Sequence, residues 1–245
     1  MKQEDLIYGK NPIREALKAH RVLDLWMSEN FKDAEIFNLI DKENIHINYV
    51  KNAFLDNLIP DVPNQGIIAK IRMYQYCDLK ELIYDAAQAQ KGEKKIILIL
   101  DGINDPQNFG AILRSADVFG VIGVIISKHH QVPLNATVAK TSAGAINHVK
   151  VALVGNLNNA IKELKDNGFW VASTDGSGDT DYNTITYDFP IALVIGSEGY
   201  GVSSLVLRNS DYIIKIPMYG HVNSLNASVT AGILLSKCRE KDYEQ

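Results

Sequence analysis

Cysteine is scarce in this chain of 245 residues: Cys77 and Cys238 are too few for a disulfide framework and match no metal-ligand spacing. The six histidines are scattered. The adjacent pair His129-His130 cannot turn both rings to one site from a regular strand, so no metal site is expected. No apolar run is long enough to span a bilayer, and Met1-Lys-Gln-Glu-Asp5 is too polar for a secretory signal, which together point to a cytoplasmic protein with no membrane partner. Excess positive charge is missing too. The net charge is −4, with 13 basic against 15 acidic residues up to Lys94 and 12 against 14 after it. Neither portion has the global basic footprint of a non-specific nucleic-acid binder, so an RNA partner needs a local patch. Common nucleotide and hydrolase signatures are also absent. There is no Gly-x-x-x-x-Gly-Lys-Ser/Thr loop and no Gly-x-Ser-x-Gly elbow. Gly196-Ser-Glu-Gly-Tyr-Gly201 has the wrong spacing for a dinucleotide fingerprint, which argues against a nicotinamide dehydrogenase.

What the chain has is apolar content, 46%, enough for one or two domains with ample core. Up to residue 74 helix and strand alternate. Asn11-Pro12 is an N-cap followed by proline at the first helical position, with Ile13, Ala16 and Leu17 as the inner stripe. Strands follow at 22–27, 45–50 and 66–73, with helices at 33–40 and 53–58. The pattern predicts a small α/β unit over 1–74. Gly9-Lys10-Asn11-Pro12 suits either an ordinary helix start or phosphate binding at a helix N-terminus. Residues 78–90 form a helix broken by Lys91-Gly-Glu-Lys-Lys95. The span 75–94 is read as a linker, its helix either part of it or the opening of the second unit.

Over 95–245 near-continuous Ile/Val/Leu strands appear at 96–100, 121–126, 149–153, 169–173, 191–195 and 212–216. Helical patterns lie between most of them, at 110–119, 136–143, 157–167 and 202–208. This predicts a parallel sheet covered on both faces. Ligands of such sheets bind outside the carboxyl ends of the strands. Four polar loops follow strand ends: Asp101 to Arg114, Ser173-Thr-Asp-Gly-Ser-Gly178, Gly196 to Gly201, and the stretch from Ile216 through His221-Val-Asn-Ser-Leu-Asn-Ala227 to Gly232. Each also fits a plain strand-to-helix turn. Ser224 is read as the N-cap of a last helix reaching about Arg239, with Ala227, Ala231, Leu234, Leu235 and Cys238 near helical spacing. Arg114, one turn into an otherwise apolar helix, suits a phosphate or carboxylate. Glu198 between Gly196 and Gly199 suits a base, a ligand acceptor, or a partner for Arg114.

Together the loops resemble the three signature motifs of the SpoU/TrmH family of RNA ribose 2′-O-methyltransferases, in the SPOUT class. Asn104-Asp-Pro-Gln-Asn-Phe-Gly-Ala-Ile-Leu-Arg114 is similar to the first, Leu193-Val-Ile-Gly-Ser-Glu-Gly-Tyr-Gly201 to the second. The third is matched by Ile216-Pro-Met218 through Asn223-Ser-Leu-Asn-Ala-Ser-Val-Thr-Ala231. Tyr8-Gly-Lys-Asn-Pro-Ile-Arg-Glu-Ala16 and Gln65-Gly-Ile-Ile-Ala69 resemble that family's ribosomal-protein-like substrate-binding domain. Asn64 stands where a histidine is expected before Gln65-Gly66. The pairing is most similar to the branch that methylates a guanosine of 23S rRNA, with tRNA as the alternative target.

The resemblance implies an α/β knot domain over 95–245 with a trefoil knot, S-adenosylmethionine as methyl donor, RNA as partner, and a homodimer. It puts Thr174, Gly196, Ile216 and Leu225 at the cofactor, and Asn108, Arg114, Glu198, Ser224 and Asn226 around the reacting hydroxyl. Because an arginine stays protonated, Arg114 is read as a clamp on the target phosphate that also stabilises the developing alkoxide. Two other readings stay open: a non-catalytic RNA-binding or ribosome-assembly module, and a small-molecule α/β enzyme.

Overall fold

The computed structural model describes residues 6–72, 74–90 and 92–240, and the chain divides into two compact units after Tyr74. Met1-Lys-Gln-Glu-Asp5, Met73 at the end of the expected 66–73 strand, and Lys91 of the charged break lie outside the described residues.

The first unit runs β1 (Leu6–Tyr8), α1 (Lys10–Lys18), β2 (Val22–Ser28), α2 (Ala34–Glu43), β3 (Ile47–Val50), α3 (Asn52–Leu58) and β4 (Ile67–Ile71). Its sheet has the order β1-β4-β2-β3 and is mixed: β4 pairs antiparallel with β1 and β2, while β2 and β3 are parallel. Side-chain alternation splits β4 between two cores. Ile67 and Ala69 join Ile13, Leu17, Leu25 and Ile36 on one face, and Ile68 joins Leu55 and Ile59 on the other.

The start of α1 differs from the sequence expectation. Its N-cap is Gly9 at φ 83°, not Asn11. The Lys10 amide donates to Gln65 Oε1 at 2.8 Å, and Ile13 N donates to the Gly9 carbonyl at 3.3 Å. A side chain 55 residues away thus satisfies one of the orphan amides, and the helix begins earlier than Asn11-Pro12 indicates. Asn11 Oδ1 instead accepts from Arg14 Nη1 at 2.8 Å.

The second unit opens with α4 (Leu79–Gln88) and continues β5 (Ile96–Asp101), α5 (Pro106–Val118), β6 (Gly123–Ser127), α6 (Ala136–Thr141), β7 (Val151–Val154), α7 (Leu157–Asp166) and β8 (Trp170–Thr174). Then come β9 (Thr180–Asp181), β10 (Ile191–Gly196), α8 (Ser204–Asn209), β11 (Tyr212–Lys215) and α9 (Ala227–Cys238). The seven strands pair in parallel throughout, in the order β7-β6-β5-β10-β8-β11-β9. Five of the six β5 residues and five of the six β10 residues are buried, as expected for central strands of a sheet covered on both faces. One core joins Ile97, Ile99, Ala192 and Val194 to α4, α7 and α8. Beyond it α5 packs against both α6 and α9. Gly110 permits the approach of α6, because a Cβ there would lie 1.8 Å from Thr141 Oγ1.

The helix within the span read as a linker is part of the second unit. Leu79, Leu82 and Ala86 of α4 are buried in its core, with Leu82 fully buried against Gly123, where a Cβ would come within 2.4 Å of Leu82 Cδ2. Truncating Leu82 leaves a cavity that close packing cannot refill. Leu82→Ala is expected to destabilise the second unit by about 2–5 kcal/mol. Urea unfolding followed by Trp170 emission in a Trp26→Phe background checks this. A change below about 0.5 kcal/mol would place the helix outside the core.

Candidate active site

Strand order brings together loops that are far apart in sequence. In the β5–β10 register Asp101 lies opposite Gly196, β8 runs beside β10 and ends at Thr174, and Ile214 of β11 pairs with Thr174. The four polar loops therefore follow four adjacent strands at one rim. The loop after β10 turns back on itself: Ser197 N donates to Gly201 O at 3.1 Å, and Gly201 N to Ser197 O at 2.9 Å. Gly196 has no room for a side chain, since a Cβ would lie 2.1 Å from the Gly201 carbonyl carbon and 2.3 Å from Val202 N. Asp101 Oδ2 accepts from Ser203 N at 2.8 Å and ties the β5 end to the start of α8.

Two cavities open at this rim. The first, about 210 Å³, is lined by Thr174, Gly196, Ile216, Ser224 and Leu225 together with Glu198. All four residues expected at the cofactor are thus in its wall. Thr174 Oγ1 is occupied, donating to Val194 O at 3.1 Å. Sequence reasoning missed Asp175, Met218, Asn223 and Thr230, which also line it. For Asp175, Met218 and Asn223 their place in the loops after β8 and β11 was the available signal, and for Thr230 its place in the first turn of α9. The second cavity, about 240 Å³, lies between the loops after β5 and β10 and is lined by Asn104, Asp105, Asn108 and Tyr200 among others. Ser197, Glu198 and Ala227 line both.

A cluster of two amides and a carboxylate stands where the cavities meet. Asn108 Nδ2 donates to Glu198 Oε1 at 2.8 Å, and Asn226 Nδ2 donates to Asn108 Oδ1 at 2.9 Å and also to Glu198 Oε1. Asn108 is buried, at 8% exposure, because it sits in the first turn of α5 under this cluster. Glu198 Oε2 makes no hydrogen bond among the described residues.

Asn226, not Ser224, is the N-cap of α9: its Oδ1 accepts from Ser228 N at 2.9 Å, Ser228 Oγ at 2.5 Å and Val229 N at 3.4 Å. Ser224 lies in the cavity wall instead. Both residue types suit a cap, but only the amide can cap and also donate to two acceptors, here Asn108 Oδ1 and Glu198 Oε1. Arg114 is not brought to this cluster. It is exposed on α5, lines neither cavity and forms no ion pair among the described residues, with Glu198 or any other carboxylate. It is the ninth residue of the helix rather than one turn in. Six residues beyond Asn108, it is turned about 120° around the axis and about 9 Å along it.

Fold and site together define an α/β enzyme domain whose ligands meet at the carboxyl rim of a parallel sheet. The sequence profile of the SpoU rRNA Methylase family matches residues 95–236, and that of RNA 2′-O ribose methyltransferase substrate binding matches residues 6–77. The chain belongs to the SpoU/TrmH family of RNA methyltransferases, whose methyl donor is S-adenosylmethionine. Among its relatives is a Bacillus subtilis protein named for the TrmH family of tRNA/rRNA methyltransferases, YacO, 43% identical over 98% of this chain and 96% of its own. A Staphylococcus haemolyticus relative named for the same family is 42% identical over 99% and 98%. Among solved structures, the SpoU methyltransferase AviRb of Streptomyces viridochromogenes, determined in complex with AdoMet, shares the fold at TM-score 0.72. Identity there is 22%, over 98% of this chain and 91% of that one. The TrmH/SpoU tRNA modifying enzyme of A. aeolicus is 30% identical over 68% of this chain and 83% of its own, with a TM-score of 0.57.

The two ends of Asn226 can be tested separately. Asn226→Ser keeps a capping oxygen and removes the amide donor; Asn226→Ala removes both. Ser is expected to be more stable than Ala by about 1 kcal/mol in thermal unfolding. Both are expected to lose methyl transfer by about a hundredfold. Equal activity of the Ser variant and the parent would remove the donor from the chemistry.

Proposed function

We propose that the protein methylates the ribose 2′-hydroxyl of a guanosine in 23S rRNA, with S-adenosylmethionine held in the first cavity. The observation that carries this reading is the Asn108–Glu198–Asn226 cluster at the junction of two cavities, where a donor on one side and a ribose on the other share one carboxylate. The lining fits the donor. Ile195, Ile214, Ile216 and Leu225 offer apolar walls, Asp175 and Glu198 offer negative charge to a sulfonium, and no Lys, Arg or His is among the lining residues. The rRNA assignment draws on the rRNA description of the matched family and on the substrate-binding unit before the catalytic one. The tRNA alternative draws on the A. aeolicus enzyme, which matches over 68% of the chain. The knot and the homodimer implied by the family resemblance belong to the same proposal.

When bound, the donor supplies an electrophilic methyl carbon on sulfur. A bond forms from the ribose oxygen to that carbon as the carbon–sulfur bond breaks, and the hydroxyl proton must leave. The chain's part is to hold the oxygen in line, which supplies several kcal/mol, and to take the proton. Two amide donors on Oε1 fix the Glu198 carboxylate and leave Oε2 to accept from the hydroxyl, directly or through one water. Ser224 and Thr174 shape the cofactor side. Arg114, outside both cavities, clamps a phosphate next to the reacting nucleotide.

Incubation with labelled S-adenosylmethionine and separate rRNA and tRNA pools, followed by nucleoside digestion, tests the reading. Label in 2′-O-methylguanosine of 23S rRNA is expected; label in tRNA alone would move the target, and label in neither would refute the activity. Arg114→Ala is expected to abolish transfer while calorimetry finds unchanged cofactor affinity. Lost cofactor affinity would overturn the clamp.

A further inference from the structure

The second cavity has an aromatic side chain at its mouth that neither the fold nor the cluster needs. Tyr200 is 96% exposed, and no hydrogen bond of its hydroxyl and no ring contact forms among the described residues. Its backbone, by contrast, is fixed. The loop is closed by the paired Ser197 and Gly201 bonds, and Tyr200 N donates to Ser197 Oγ at 3.3 Å. A ring held out by a closed loop, with two side-chain torsions to order, is pre-organised to bind a flat ligand.

The chemistry of the cavity narrows that ligand. Asn104, Asp105, Asn108 and Glu198 line it, with no cation among the lining residues. A phosphate is repelled here, whereas the uncharged base and sugar of a nucleotide are not. Glu198, where the ribose is proposed to sit, and Tyr200 at the loop tip line the same cavity. Extruded bases in RNA sites are commonly held by stacking on aromatic rings.

We propose that Tyr200 is the stacking platform for the nucleobase of the methylated nucleotide, and that the cavity beside it is the nucleoside subsite. This rests on the RNA-methyltransfer reading above. Tyr200 is a positioning residue: its π-face sets the hold on RNA and not the methyl-transfer step.

Initial rates with labelled S-adenosylmethionine and the rRNA and tRNA pools give one test. Tyr200→Ala is expected to raise KM for RNA about tenfold or more, with kcat and cofactor affinity little changed. Tyr200→Phe and Tyr200→Trp are expected to stay near the parent, and Tyr200→Leu, which keeps apolar bulk without a π-face, to behave as Ala. An unchanged KM in the Ala variant, or rescue by Leu, would overturn the proposal. A second test needs no turnover. Emission of the Tyr200→Trp protein, taken as the difference from the parent, is expected to be quenched when either RNA pool is added with cofactor present. No quenching would overturn the stacking role. Quenching without label in 2′-O-methyl nucleosides would uphold the platform and refute methyl transfer.

Discussion

One side-chain amide couples the last helix to the Asn108–Glu198 pair at the candidate site. The oxygen of Asn226 satisfies the first amides of α9, and its nitrogen holds Asn108 and Glu198. Helix placement and carboxylate orientation are thereby a single constraint. An aspartate here would cap the helix but bring a second negative charge to Glu198 with no proton to donate. A glutamine would lose the short reach that capping needs. Three segments remote in sequence, the first turn of α5, the loop after β10 and the start of α9, are fixed by one neutral group of the right length.

That amide has something to hold because the sheet delivers the three segments to one rim. Central strands made almost wholly of Ile, Val and Leu are buried on both faces, and the pairing of Gly196 with Asp101 sets their ends level. Gly196 then lets the loop fold back over the strand end with no gap for a Cβ. Close packing elsewhere gives rigidity. Here it forms the wall between two cavities.

Much of this was legible in the chain. The apolar strands and the helical periodicity are local, and so are the polar loops after strand ends, whereas the residues expected at the cofactor came from the family resemblance of those loops and all four line the first cavity. The pieces that were not legible depend on distant partners. The segment Ser224-Leu225-Asn226 offers two good caps, and Glu198 and Asn108, far away in sequence, select the second. Gln65 likewise moves the start of α1 to Gly9–Lys10. The short strands Leu6–Tyr8 and Thr180–Asp181 carry almost no pattern of their own and exist by pairing with β4 and β11. Arg114 was placed by motif, and helix geometry turned it away from the residues its motif shares.

The charge of the site bears on how RNA is chosen. Asp175 and Glu198 face one cavity, Asp105 and Glu198 the other, and neither lining holds a cation. A carboxylate about 4 Å from another unit charge is worth about 4 kcal/mol at the effective dielectric of a protein surface, attractive for a sulfonium and repulsive for a phosphate. That charge disfavours an RNA phosphate inside either cavity, in keeping with the proposed entry of base and sugar. In the first unit, Lys10, Arg14 and Lys18 are already paired with Asp33 and Glu35, so those cations are partly neutralised within the protein. With a net charge of −4, long-range attraction contributes little. On the proposed reading, selectivity draws on the charge of the rim: a nucleotide extruded from its strand offers base and sugar to the second cavity, where a phosphate would meet Asp105 and Glu198.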